Sequence, residues 1–147
     1  MSESLKFAAD RMLGRLCKWL RICGFDSLYI SIHGTKEIEY FQKESRIILT
    51  RNQKWRQVRD VLFIMHDHPM EQLKAVVQDR QIDKALIHPF RICIRCNHLL
   101  RSATKHEVYG KVPEYTYTSK ESFYLCSKCD RIYWRGSHPV RMAEHMA

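Results

Sequence analysis

A chain of 147 residues, 45% hydrophobic, holds one ordinary core or a smaller core with a metal-stapled appendage. That apolar content excludes a disordered chain, and no apolar run approaches the roughly 20 residues that a membrane-spanning helix needs. The formal charge of +9 (sequence pI about 9.4), shared by both halves, is either a solvated surface or a footprint for an anionic polymer.

The opening residues Met1-Ser2-Glu3-Ser4 lack the basic-then-apolar pattern of a signal peptide. The apolar run at 5–10 suits a buried strand, and it ends on Asp10. A helix is expected over 11–23. At 100° per residue it gathers Met12, Leu13, Leu16, Cys17, Trp19, Leu20 and Cys23 on one face, with Arg11, Arg15, Lys18 and Arg21 opposite. Gly24 stops it. Residues 25–32 read as a second strand, and Thr35 as the cap of a helix running to Glu44 with Glu37 in its first turn. Residues 46–50 read as a central buried strand, followed by a basic stretch around Trp55. Residues 61–65 form a fourth strand that leads into His66-Asp67-His68-Pro69, and a helix over 69–80 begins at that proline.

Strands alternating with helices predict a parallel α/β sheet flanked by helices, occupying residues 1–88. Residues 89–147 are expected to form a second unit packed on it. There Cys93 and Cys96 form one C-x2-C pair, and Cys126 and Cys129 form another. Two such turns aim four soft thiolates at one centre and close a tetrahedral zinc site with no open position, so the Zn²⁺ is structural. Two disulfides or chance thiols are the alternatives. The polar residue after each second thiol, Asn97 or Asp130, and the two cysteines left over in an apolar pattern favour zinc in a reducing, cytoplasmic setting. Between the pairs, residues 108–112 and 115–118 are expected as β-hairpin strands of a zinc ribbon. A strand at 132–134 and a short terminal helix over 140–145 complete the chain.

In a parallel sheet the carboxyl ends of the strands converge on one crevice. Asp10, Asn52 and Asp67 sit at or just past such ends, and converging acids there hold Mg²⁺ or Mn²⁺ for phosphodiester hydrolysis. Arg11, Arg15 and Lys18 flank that crevice as phosphate contacts, against the plain alternative of a solvated helix face. His66 and His68 offer a transition-metal alternative beside Asp67, and Trp55 either stacks on a base or anchors its loop.

The opening Phe7-Ala8-Ala9-Asp10-Arg11-Met12-Leu13-Gly14-Arg15-Leu16, with Trp19-Leu20-Arg21-Ile22-Cys23-Gly24, resembles the first motif of the Mut-seven C-terminal ribonuclease family. Arg46-Ile47-Ile48-Leu49-Thr50-Arg51 resembles its second motif, and Asp67-His68-Pro69 with Gln72-Leu73 its third. The knuckle with Asn97, Val112-Pro113, the second knuckle, and Tyr133-Trp134-Arg135-Gly136-Ser137-His138 with Met142 resemble its zinc-bearing tail. The resemblance implies a PIN-like fold with a zinc ribbon, a metal-dependent ribonuclease activity and RNA as the partner. It adds Arg51 and His138 as substrate contacts. Where the family ends its strand Leu-Thr-Arg-Asp, this chain has Asn52, which keeps an acceptor oxygen and loses the charge. The family's acid at the start of the second helix falls near Gly34, with Glu37 the nearest substitute. The catalytic set is therefore Asp10, Asp67, Asn52 and Glu37. The alternative is a catalytically impaired module that binds RNA or a protein partner.

Overall fold

The computed structural model describes residues 5–136. Four strands, β1 (Lys6–Asp10), β2 (Asp26–Ile30), β3 (Arg46–Thr50) and β4 (Val61–Phe63), form an all-parallel sheet in the order β2-β1-β3-β4. The apolar run of β1 explains its central place. Phe7, Ala8 and Ala9 are all fully buried, as a strand covered on both faces requires. Phe7 and Ala9 join the core beneath α1 (Gly14–Ile22) and α3 (Pro69–Asp79). Ala8 faces the other way, with Ile38 of α2 (Thr35–Lys43), Ile48 and Trp55. Trp55 thus anchors its loop, and its buried indole N–H has no hydrogen-bond partner among the described residues.

The first helix is not continuous from Arg11. Asp10 caps a 3-10 turn over Arg11–Leu13, and α1 follows from Gly14. That tighter turn steps by about 120° per residue, so Met12 swings out to 61% exposure while Leu13 stays buried. Gly34, not Thr35, precedes α2, and Glu37 reaches back to accept the His33 N–H at 2.8 Å.

Helix α1 ends in a Schellman arrangement. The Phe25 N–H bonds to the Leu20 carbonyl and the Gly24 N–H to the Arg21 carbonyl, both at 3.0 Å, with Gly24 at φ +95°. A side chain at Gly24 would also place its Cβ 2.3 Å from the His88 carbonyl oxygen, beside the 2.8 Å bond from His88 N–H to the Cys23 carbonyl. Gly24→Ala is therefore expected to destabilise the fold by about 2–4 kcal/mol, from a left-handed conformation and a backbone clash together. Denaturant titration checks it, and a loss below about 1 kcal/mol would refute it.

Past His88 the chain builds a separate antiparallel sheet from β5 (Leu100–Ala103), β6 (Phe123–Cys126) and β7 (Ile132–Tyr133), in the order β5-β6-β7. The expected hairpin strands do not form: residues 109–112 are a turn that follows helix α4 (Lys105–Val108), and residues 115–118 lie in helix α5 (Glu114–Ser119). Thr104 and Glu107 form a reciprocal capping box for α4, and Pro113 opens α5. The alternating Tyr and Thr residues of 115–118 imitate a strand pattern. Here the Thr118 and Ser119 hydroxyls bond back to the Glu114 and Tyr115 carbonyls, which a helix alone brings within reach. The terminal helix expected over 140–145 lies outside the described residues.

The two sheets meet at the edge strand β2. Asn97 accepts the Ser27 N–H at 2.8 Å and donates to Asp26 at 2.7 Å, while Arg46 forks onto the same Asp26 carboxylate. Arg21 reaches across to the Ile94 carbonyl at 2.9 Å. A polar side chain thus takes up an edge donor that would otherwise be open to another strand.

Burial raises the Asp26 carboxyl, but the Arg46 and Asn97 hydrogen bonds and the Arg46 and Lys6 charges outweigh it, so its pKa lies below the ordinary 3.8. A depressed folded value stabilises above the unfolded pKa, and that contribution fades as pH falls through the folded one. Wild type should melt higher than Asp26→Asn at neutral pH, and the gap should close below about pH 4. A gap that persists at about pH 2.5 would contradict it.

Candidate functional site

The carboxyl ends of the parallel strands gather around one buried acid. Asp10, only 4% exposed, closes β1. One carboxylate oxygen accepts the Arg11 N–H at 2.9 Å and the Ile32 N–H at 3.2 Å, and the other accepts the Thr50 hydroxyl at 2.7 Å. Thr50 lies at the end of β3, fully buried, and its hydroxyl in turn accepts the Asn52 N–H at 3.1 Å. Asp10, Thr50 and Asn52 thus form a relay across two strands. Sequence pattern alone assigns Thr50 no role beyond its place in β3. A strand-end threonine next to an acid-bearing strand is the signal by which it could be found.

The other sequence candidates are more dispersed. Asn52 is exposed, and its side chain caps the next turn by accepting the Lys54 N–H at 3.0 Å. Asp67 follows β4, with its side chain 92% exposed and ion-paired to Arg51, which also donates to the Met65 carbonyl. Glu37 is occupied with the His33 N–H. His68 caps α3 through the Met70 N–H, and the His66 carbonyl accepts from Gln72. His138 lies outside the described residues.

Among the described residues, the four cysteines are the group of three or more His, Cys, Asp or Glu side chains within ligating distance of one another. As folded, the acids at the strand ends do not make a cage for Mg²⁺ or Mn²⁺, which needs its oxygen donors around one centre. Arg11, Arg15 and Lys18 stand exposed beside Asp10. Among the described residues, Arg15 and Lys18 have no ion-pair or hydrogen-bond partner for their charged groups.

The cysteine centre is closed. The four Sγ atoms lie within 4.8 Å of one another, and Cys93 and Cys129 are 3.7 Å apart. That matches the edge of a tetrahedron with vertices about 2.3 Å from its centre, about 3.8 Å. All six cysteines are free of disulfides.

The two knuckles repeat one geometry. Asn97 and Asp130, directly after each second thiol, adopt φ +58° and +64° and bond back to the Cys93 and Cys126 carbonyls at 2.9 and 2.7 Å. Asn and Asp tolerate this left-handed conformation best among residues with a side chain. Burial raises the Cys93 thiol, but the Tyr133 hydroxyl at 3.3 Å, the Cys96 and Arg95 backbone and the Cys129 thiol outweigh it and bring it to about 7. Burial raises the Cys126 and Cys129 thiols of the same cluster, so the fit to a structural Zn²⁺ rests on four sulfurs at tetrahedral spacing, whose remaining protons a bound ion would displace.

Among the described residues no helix is long and apolar enough to cross a membrane. Neither a search of curated proteins nor a search of solved structures gave a match. A family model described as the Mut7-C RNAse domain matches residues 5–146, which takes in the buried Asp10, the Thr50–Arg51 strand end and both cysteine knuckles. The chain belongs to that family.

Proposed function

We propose that this chain is a ribonuclease that cleaves RNA at the crevice on the carboxyl edge of its parallel sheet. In this reading residues 1–88 carry the crevice, and residues 89–147 form a zinc ribbon braced against β2. The observation that carries it is Asp10, a buried carboxylate fixed by three donors, in a chain of a ribonuclease family. The next helix presents Arg15 and Lys18 exposed and, among the described residues, without a partner. A carboxylate offers about four acceptor sites, and three of Asp10's are taken. The fourth, unoccupied among the described residues, would orient a water and take its proton as the water oxygen attacks phosphorus. The bond to the leaving oxygen breaks, and that oxygen is protonated from solvent. Arg11, Arg15 and Lys18 hold the flanking phosphates. Arg51 is committed to Asp67 and joins them only if that exposed pair opens, at a cost of about 1 kcal/mol or less.

A second reading, a module that holds RNA without cutting it, is favoured by Asn52 and by the Arg51–Asp67 pair. End-labelled single-stranded RNA tests both, incubated with Mg²⁺, Mn²⁺ or chelator while zinc content is measured in parallel. The ribonuclease reading expects cleavage by wild type. RNA held equally with and without Mg²⁺, and never cut, would establish the second reading.

The metal expected from the family's acids is tested by Mn²⁺ titration calorimetry. With Asp10 as the one buried acid among the described residues, wild type should bind Mn²⁺ only weakly. Asn52→Asp restores a charge two residues past Thr50 and should tighten binding by about tenfold or more. Equal affinities would show that position 52 does not face the metal.

A further inference from the structure

Beside the crevice, α1 and β2 enclose a groove of about 300 Å³ lined by Gly14, Arg15, Cys17, Lys18, Arg21 and Tyr29. Each lining residue narrows what the groove takes. Tyr29, on the edge strand, is 52% exposed, and its hydroxyl donates to the Arg11 carbonyl. The ring is therefore held in place with its polar end satisfied. Gly14 leaves room over that ring, because a Cβ there would lie 3.5–3.7 Å from the ring's outer atoms.

Cys17 is buried and bonded to the Ser27 carbonyl at 3.4 Å, and burial raises its thiol despite the Arg21 charge nearby, so it is floor and not nucleophile. Arg21 is occupied with the Ser27 and Ile94 carbonyls and forms a wall. Arg15 and Lys18 remain, unpartnered among the described residues and exposed at the rim. An aromatic face over an apolar floor with two rim cations matches a nucleotide: the base meets the ring and the phosphates meet the cations.

We propose that this groove is a nucleotide subsite for single-stranded RNA, with a base on Tyr29 and its flanking phosphates on Arg15 and Lys18. The proposal rests on the reading that the chain acts on RNA. Tyr29 pairs in register with Ala9, the residue before Asp10, so the groove lies one residue short of the carboxyl edge of the sheet. Neighbouring strand residues face opposite sides, so an RNA strand seated in the groove must turn over that edge to bring its next phosphodiester to the acid. Duplex RNA does not fit, since its bases are stacked inside the helix and out of the ring's reach.

The test is fluorescence anisotropy of the zinc-loaded protein with a labelled oligouridylate of about eight nucleotides and an RNA duplex of the same length. Tyr29→Ala should weaken oligouridylate binding about tenfold or more, and Tyr29→Phe should stay within about twofold of wild type. Gly14→Leu fills the groove without removing charge or helix propensity, and should match Tyr29→Ala while melting no lower than wild type. Duplex affinity should not move in any of the three. Lys18→Ala should lower the salt slope by about one.

The proposal is overturned if wild type does not bind oligouridylate, if Tyr29→Ala binds it as wild type does, or if duplex affinity falls in step. Cleavage is scored separately. A chain that cuts RNA while indifferent to Tyr29 loses the groove and keeps the ribonuclease reading. One that loses binding in Tyr29→Ala but never cuts keeps the groove alone.

Discussion

Cys126→Ser is expected to release zinc and unfold the sheet formed by β5, β6 and β7, while much of the parallel sheet stays folded. The reason lies in how little else holds that region together. Among its described residues the buried side chains are few: the cluster of Cys93, Cys126 and Tyr133, and outside it Ile92, Val108, Thr116 and Phe123. A core of that size cannot offset the ordering of about forty residues, so the metal must supply the difference. Structural zinc in small domains is worth about 10–16 kcal/mol of apparent binding energy near neutral pH, and binding there is folding. Serine offers a neutral hydroxyl in place of a soft thiolate, at a fully buried position with no room for a substitute ligand.

The expected result is zinc content falling from one per chain toward zero. Amide exchange should become fast through β5–β7 and stay slow in β1 and β3. The Asn97 and Arg21 contacts at β2 should go with the ribbon, so that edge should gain some exchange as well. Cys23→Ala is the control. Cys23 belongs to the parallel-sheet core, where burial alone pushes its thiol up to about 11, and it should cost stability without touching zinc. A Cys126→Ser chain that kept one zinc and melted as wild type does would end the structural-zinc reading.

Much of this fold was legible in the sequence because its signals are local. The run Phe7-Ala8-Ala9 can only be a strand covered on both faces, and Gly24 stands where a helix must turn left-handed. The paired cysteines carry their own geometry in the residue that follows each second thiol. What stayed hidden depends on contacts made across the chain. Residues 108–112 and 115–118 read as hairpin strands until the capping box of α4 and the back-bonded hydroxyls of α5 are in place. Asn97 looks like part of a knuckle, and no sequence pattern says that it also meets Asp26 and Ser27, some seventy residues away.

The same holds for the candidate site. Asp10 was readable as a strand-end acid, but the three donors that fix it come from three different parts of the chain. Asp67 resembled it in sequence position, yet it sits in solvent against Arg51 because β4 ends at Phe63 and the loop carries it outward.

Asp10 also separates structure from chemistry, since it caps the turn at Arg11–Leu13 and is the acid proposed to act on RNA. Asp10→Ala strands the buried Thr50 hydroxyl and the Ile32 and Arg11 N–H groups, and should cost about 2–5 kcal/mol. Asp10→Asn keeps the shape and one acceptor oxygen. That oxygen can go on accepting from Arg11 and Ile32, while the new amide donates to Thr50 once the threonine hydroxyl turns its own proton away. Stability should then fall by about 1 kcal/mol or less.

Cleavage should not survive as well, because an amide cannot take the proton that the attacking water gives up. A loss of at least about 100-fold is expected from a folded, zinc-loaded Asp10→Asn protein that still binds oligouridylate as wild type does. Melting curves, zinc content and oligouridylate affinity on the same preparation keep the two effects apart. If Asp10→Asn cuts RNA as fast as wild type, Asp10 is a cap and nothing more, and any cleavage arises elsewhere on the chain. If it is stable, binds RNA and has lost cleavage, the buried acid at the end of β1 is the centre of the reaction.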